Sequence, residues 1–72
     1  MSEAALLRLI LRYPHPVAIA RRVGGTTMHI GVRRLQELGL VTERGGLYRV
    51  TRRGRDALRF EVSLRISILH AA

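Results

Sequence analysis

Apolar positions along this chain recur at intervals that set out its expected architecture. Leu6, Leu7, Leu9, Ile10 and Tyr13 fall at helical spacing, with Arg8 and Arg12 on another face. Ser2 and Glu3 suit the start of this helix, as a capping hydroxyl and an acid in the positive first turn. Pro14 stops it, because the residue before a proline is pushed out of the helical region. Pro16 then fits the first turn of a second helix over residues 16–23, with Val17, Ile19, Ala20 and Val23 apolar and Arg21 and Arg22 outside. Gly24 and Gly25 form a sharp turn, after which Thr26 or Thr27 is expected to cap a third helix, about residues 27–38. Met28, Val32, Leu35 and Leu38 make its buried stripe. The opposite face carries Thr27, His29, Arg33 and Arg34, with Gln36 at its margin and Ile30 and Gly31 between. That is a low, donor-rich surface able to approach a groove closely.

Gly39 closes the third helix, and residues 40–43 and 47–50 have the pattern of two strands joined by Arg44-Gly45-Gly46. Tyr48 and Val50 share one face of the hairpin, Leu47 and Arg49 the other. Thr51 can cap a last helix that opens with Arg52, Arg53 and Arg55, basic residues at the electrostatically unfavourable end. Their placement there points to gripping a phosphate together with the free backbone donors of the helix start.

Beyond Leu58 two patterns coexist. Phe60, Val62, Leu64, Ile66 and Ile68 alternate with Glu61, Ser63, Arg65 and Ser67, as in a half-buried strand. On a helix they give two apolar stripes, one of Leu58, Val62, Ile66 and Leu69, the other of Phe60, Leu64 and Ile68. The helix is preferred, since Gly54 alone interrupts the chain after Thr51. Either pattern leaves apolar surface that needs a partner, so a homodimer joined through Leu58, Val62, Ile66 and Leu69 is expected. The fold class is mainly α with a small β-hairpin (α+β): residues 1–57 form a domain and residues 58–72 a dimerisation segment.

Charge narrows the function. Thirteen basic residues, all arginine, oppose 5 acidic ones in a chain of 72, for a net charge of +8. Arginine's planar fork suits phosphate oxygens and guanine edges, although a preference for arginine over lysine also follows genome composition or a hot habitat. A charge this lopsided calls for a polyanionic partner. A chain this short buries only about 60% of the surface it exposes unfolded, which also favours a second subunit.

Other functions are disfavoured by what the sequence offers. Cysteine is absent, and His15, His29 and His70 are scattered, so neither a metal site nor a cofactor is expected. Asp56 stands alone among glutamates on different elements, and Ser2, Ser63 and Ser67 are the only serines, which assembles no catalytic constellation. The run from Ala4 to Leu11 is broken by Arg8, and no apolar stretch reaches the ~18 residues of a membrane span. The expectation is a cytoplasmic, nucleoid-associated protein that is not an enzyme, has no small-molecule ligand and does not sit in a membrane.

The run IARRVGGTTMHIGVRRLQELGLVTERGGLYRVTRRGRDAL resembles the winged helix-turn-helix domains of small bacterial and archaeal transcriptional regulators of the MarR, PadR and ArsR kinds. RRLQELGLV resembles the end of their recognition helix and first wing strand, and YRVTRRGRDAL the return strand and following helix. The resemblance implies double-stranded DNA as the partner, with Thr26, Thr27, His29, Ile30, Arg33 and Arg34 on the helix that enters the major groove. It also implies Arg44 and Arg49 of the wing near backbone or minor groove, and Arg52 and Arg53 on phosphate. Two departures from the pattern are a turn about two residues shorter and Gly31 at a position where a polar contact residue is common. A protein-interaction module and a binder of structured RNA or an anionic surface are the alternatives; few aromatics argue against stacking on single strands.

Overall fold

A computed structural model describes residues 2–60 of the chain. Three helices come first, α1 (Glu3–Arg12), α2 (Pro16–Val23) and α3 (Gly25–Glu37). An antiparallel hairpin of β1 (Val41–Arg44) and β2 (Leu47–Val50) follows. A fourth helix, α4, occupies residues 52–60. Mainly helical with one small hairpin, this is the α+β layout the apolar spacing calls for.

α1 begins as its sequence dictates. Ser2 Oγ accepts the Ala5 N–H at 3.1 Å, and Glu3 lies in the first turn. The helix buries Leu6, Leu7 and Ile10, which meet Ile19 of α2, Val32 and Leu35 of α3 and Val41 of β1 in one core. Leu9, Tyr13, Val23, Met28, Leu40, Tyr48, Val50 and Leu58 pack around it.

α3 differs from expectation at both ends. Neither Thr26 nor Thr27 caps it: the helix starts earlier, at Gly25, with Gly24 at the cap position and no side-chain capping bond. Gly24, at φ +88°, makes the turn by itself, so the helix begins directly after it and both threonines sit within its first turn. At the other end Leu38 is 40% exposed rather than buried, because the helix stops at Glu37 and Leu38 turns outward as its cap.

Gly39 follows with φ +75°, and the Leu40 N–H reaches back to the Leu35 carbonyl at 2.9 Å while the Gly39 N–H reaches Gln36 at 3.0 Å. This is the left-handed glycine closure of a helix, with Leu40 folded back onto the core. Leu40 is thereby taken into the cap, so β1 begins one residue later than its pattern suggested. Arg44 is likewise a strand residue paired with Leu47, and Gly45 and Gly46, both at positive φ, form the two-residue turn by themselves.

Two contacts fix the hairpin and α4 to the helices. The Tyr48 N–H donates to the Pro14 carbonyl at 2.9 Å, tying the outer edge of β2 to the α1–α2 connection. Thr51 caps α4 as expected, accepting the Gly54 N–H at 3.1 Å, while its hydroxyl donates to the Gly39 carbonyl at 2.7 Å. α4 runs without a break across the 57/58 boundary drawn from sequence, and Leu58 packs onto the chain's own core. Of the expected dimer residues, Val62, Ile66 and Leu69 lie outside the described residues.

Candidate nucleic-acid interface

α3 stands proud of the core with its outer face open. At 3.6 residues per turn, Thr26, Ile30, Arg33 and Glu37 form its crest, and all are exposed. His29 and Gln36 flank the crest on the hairpin side, where with Arg33 they line a groove shared with Glu43 and Tyr48. Thr27 and Arg34 flank it on the α1 side, in a second groove with Glu3, Leu6, Ile30 and Gly31. The structure therefore gathers Thr26, Thr27, His29, Ile30, Arg33 and Arg34 on one helix face. Ile30, 64% exposed, is a large hydrocarbon at its centre.

Ion pairs divide the arginines. Arg34 Nε lies 2.5 Å from Glu3 Oε1, a contact that holds the guanidinium more firmly protonated and turns it toward α1. Arg33 is 3.7 Å from Glu37, one helical turn on. Both arginines are largely exposed, so these pairs are weak and open to exchange for phosphate. Arg22 is engaged differently, its guanidinium carbon 3.6 Å above the Tyr13 ring, with Arg12 at 5.6 Å. Arg22 also donates to the Ala18 carbonyl at 2.9 Å.

Arg44, Arg49, Arg52, Arg53, Arg55 and Arg59, by contrast, have no ion-pair partner among the described residues. Arg44 ends β1 beside the turn, and Arg49 projects from the hairpin face opposite Tyr48. Arg52 and Arg53, adjacent in sequence, separate in space. Arg53 lies along Gly39 at the negative end of α3, whereas Arg52 lines a groove with Arg49, Arg55, Asp56 and Arg59. Arg59 was not picked out by sequence, and Arg55 was marked only as part of the basic start of the last helix. Their spacing from Arg52, three and seven residues, was the available signal, but only the fold brings Arg49 beside them.

Gly31 proves to be a packing residue. A Cβ there would lie 2.5 Å from Leu6 Cδ2, so the glycine lets α1 and α3 approach. It sits on the α1 side of α3, away from the crest.

The two tyrosines sit in opposed environments. Arg22 first and then Arg12 hold the Tyr13 phenol below its ordinary value, whereas burial, then the Glu43 carboxylate, push Tyr48 up. Absorbance titration should therefore resolve two phenol steps, one on each side of about 10, and Tyr13→Phe should abolish the lower one. A single step of double amplitude would refute this arrangement. The depressed Tyr13 value adds stability as pH rises through it, and the raised Tyr48 value removes stability above the unfolded value.

Among the described residues no group of three or more histidine, cysteine or acidic side chains is placed to hold a metal ion, and no helix is long and apolar enough to cross a membrane. No family model matches the chain, and neither a curated protein nor a solved structure matches it.

Proposed function

We propose that this protein is a winged helix-turn-helix binder of double-stranded DNA, a transcriptional regulator or a nucleoid architectural protein. The reading is carried by one observation: α2, the Gly24 turn and α3 present an exposed face of Thr26, Thr27, His29, Ile30 and Arg33, next to a hairpin with Arg44, which has no ion pair among the described residues, beside its turn. In this reading α3 lies in the major groove. Arg33 suits a guanine edge, Ile30 a thymine methyl, and His29 and the threonines either base edges or phosphate. Arg44 beside the hairpin turn contacts backbone or minor groove, and Arg53 contacts phosphate near the end of α3. The protein works as a homodimer through residues 61–72, in the cytoplasm on the nucleoid. Phe60, 70% exposed where that segment begins, supports the pairing.

The test is selection of bound sequences from a random duplex pool, then comparison of selected with random duplex for wild type, His29→Ala and Arg33→Gln. A lost guanine contact should cut the preference for the selected sequence by about 5- to 150-fold, corresponding to roughly 1–3 kcal/mol, with a smaller effect on random duplex. If both variants kept the full preference, α3 would not be the reading element. Equal binding to selected and random duplex by wild type would assign the architectural role.

A further inference from the structure

We infer that the groove between β2 and α4, lined by Arg49, Arg52, Arg55 and Arg59, is a second backbone-phosphate site that takes a second DNA duplex, so that the protein ties two duplex segments together. The inference rests on the reading of α3 as the face that meets the first duplex.

The hairpin separates the two surfaces. Glu43 pairs with Tyr48 on one face and both line the groove beside α3, while Arg49 pairs with Thr42 on the other. No residue of α3 lines the β2–α4 groove, and none of its arginines lines the groove beside α3.

Charge is distributed unevenly between them. Beside α3, Arg33 and Arg34 each have an acidic partner and Glu43 adds a further carboxylate. In the β2–α4 groove four exposed arginines face a single carboxylate, Asp56, and none forms an ion pair among the described residues. The stronger phosphate field is thus on the side away from the reading helix.

Spacing selects the ligand. Arg52, Arg55 and Arg59 lie on one face of α4 and span about 10 Å along its axis. That covers roughly three phosphates of one strand at about 3.4 Å of rise each. A row of this length fits a linear polyanion better than a free phosphate, which would engage one end. Among the described residues the groove contains no aromatic side chain on which an unpaired base could stack, which favours duplex over single strand.

The test is a capture assay in which protein bound to an immobilised duplex is asked to retain a second, fluorescent duplex. Wild type should retain it, and Arg55→Gln/Arg59→Gln should reduce retention by about 60-fold at 0.1 M salt, two phosphate contacts each contributing about 0.9 decade. Its affinity for the immobilised duplex and its melting temperature should stay close to wild type, since both side chains are exposed. Retention unchanged in the variant, as for bridging through the two α3 faces of a dimer, would overturn the inference. So would equal loss of first-duplex and second-duplex binding, which would make the groove part of a single site. Wild type that binds one duplex but never a second removes this inference and leaves the reading of α3 intact; failure to bind any duplex removes both.

Discussion

Gly54→Ala should destabilise the protein by about 3 kcal/mol or more, the effect of forcing bulk into a packed site that cannot yield. A Cβ at this buried position would run into the Leu40 carbonyl oxygen and come within 2.7 Å of Val50 Cγ1. The carbonyl has little freedom to retreat, because it accepts the Thr51 N–H at 2.9 Å and belongs to the residue that closes α3. For a chain of 72 residues, total stability on the order of 4–11 kcal/mol makes that loss about a quarter or more of the whole. Gly25→Ala is the contrasting case, with nothing within 4 Å of the added carbon at the first position of α3. Alanine there should stabilise by about 0.5–1 kcal/mol, since it restricts the unfolded chain and favours the helix. Urea denaturation of the two variants gives the comparison. Similar midpoints would mean that α4 does not pack on the end of α3 as described.

Affinity for a first duplex should fall about 40-fold between 50 and 200 mM salt if three arginines, Arg44 and Arg53 among them, sit on its phosphates, from a slope of about −0.9 per contact. Arg44 and Arg53 have no ion-pair partner among the described residues, so their charge is open to phosphate. Removing Arg53 should reduce the slope by about 1 and weaken binding to all sequences alike, because phosphate contacts carry no base information. Arg53 also lies against the negative end of α3, so its removal should lower the melting temperature slightly, whereas removal of Arg52 should not. Fluorescence anisotropy across a salt series measures the slope. A slope shallower than about −2 would mean that these arginines are solvated surface charge.

Much of the fold was legible because local rules acted without competition. Ser2 and Pro14 bracket α1, Pro16 opens α2, and Leu47–Val50 is the return strand that its alternation predicts. Misreadings fell where two local devices overlapped. At the start of α3 two threonines signalled a cap, but the glycines before them allowed the helix to begin sooner. After α3, Leu40 fits both a strand and a glycine closure, and the closure took it because its N–H completes the bond to Leu35. The site was legible as a helix face and not as an electrostatic surface. Glu3 and Arg34 are 31 residues apart, and nothing local announces that one draws the other aside. Gly31 was conspicuous in sequence, yet its reason, the Leu6 side chain, belongs to another helix. Arg49 joins Arg52, Arg55 and Arg59 only once a strand has been laid beside a helix.

Thr51 gives the molecule a mechanical property. Its hydroxyl bonds the last turn of α3 through Gly39, its oxygen also caps α4, and its N–H bonds Leu40. Through these bonds α3, the proposed reading helix, and α4 are joined without slack. A torque on α4, such as the proposed second subunit or second duplex would apply, would pass through these bonds to the end of α3. If α3 lies in a groove as proposed, the angle at which it meets that groove would respond to load on α4, with Thr51 as the fulcrum.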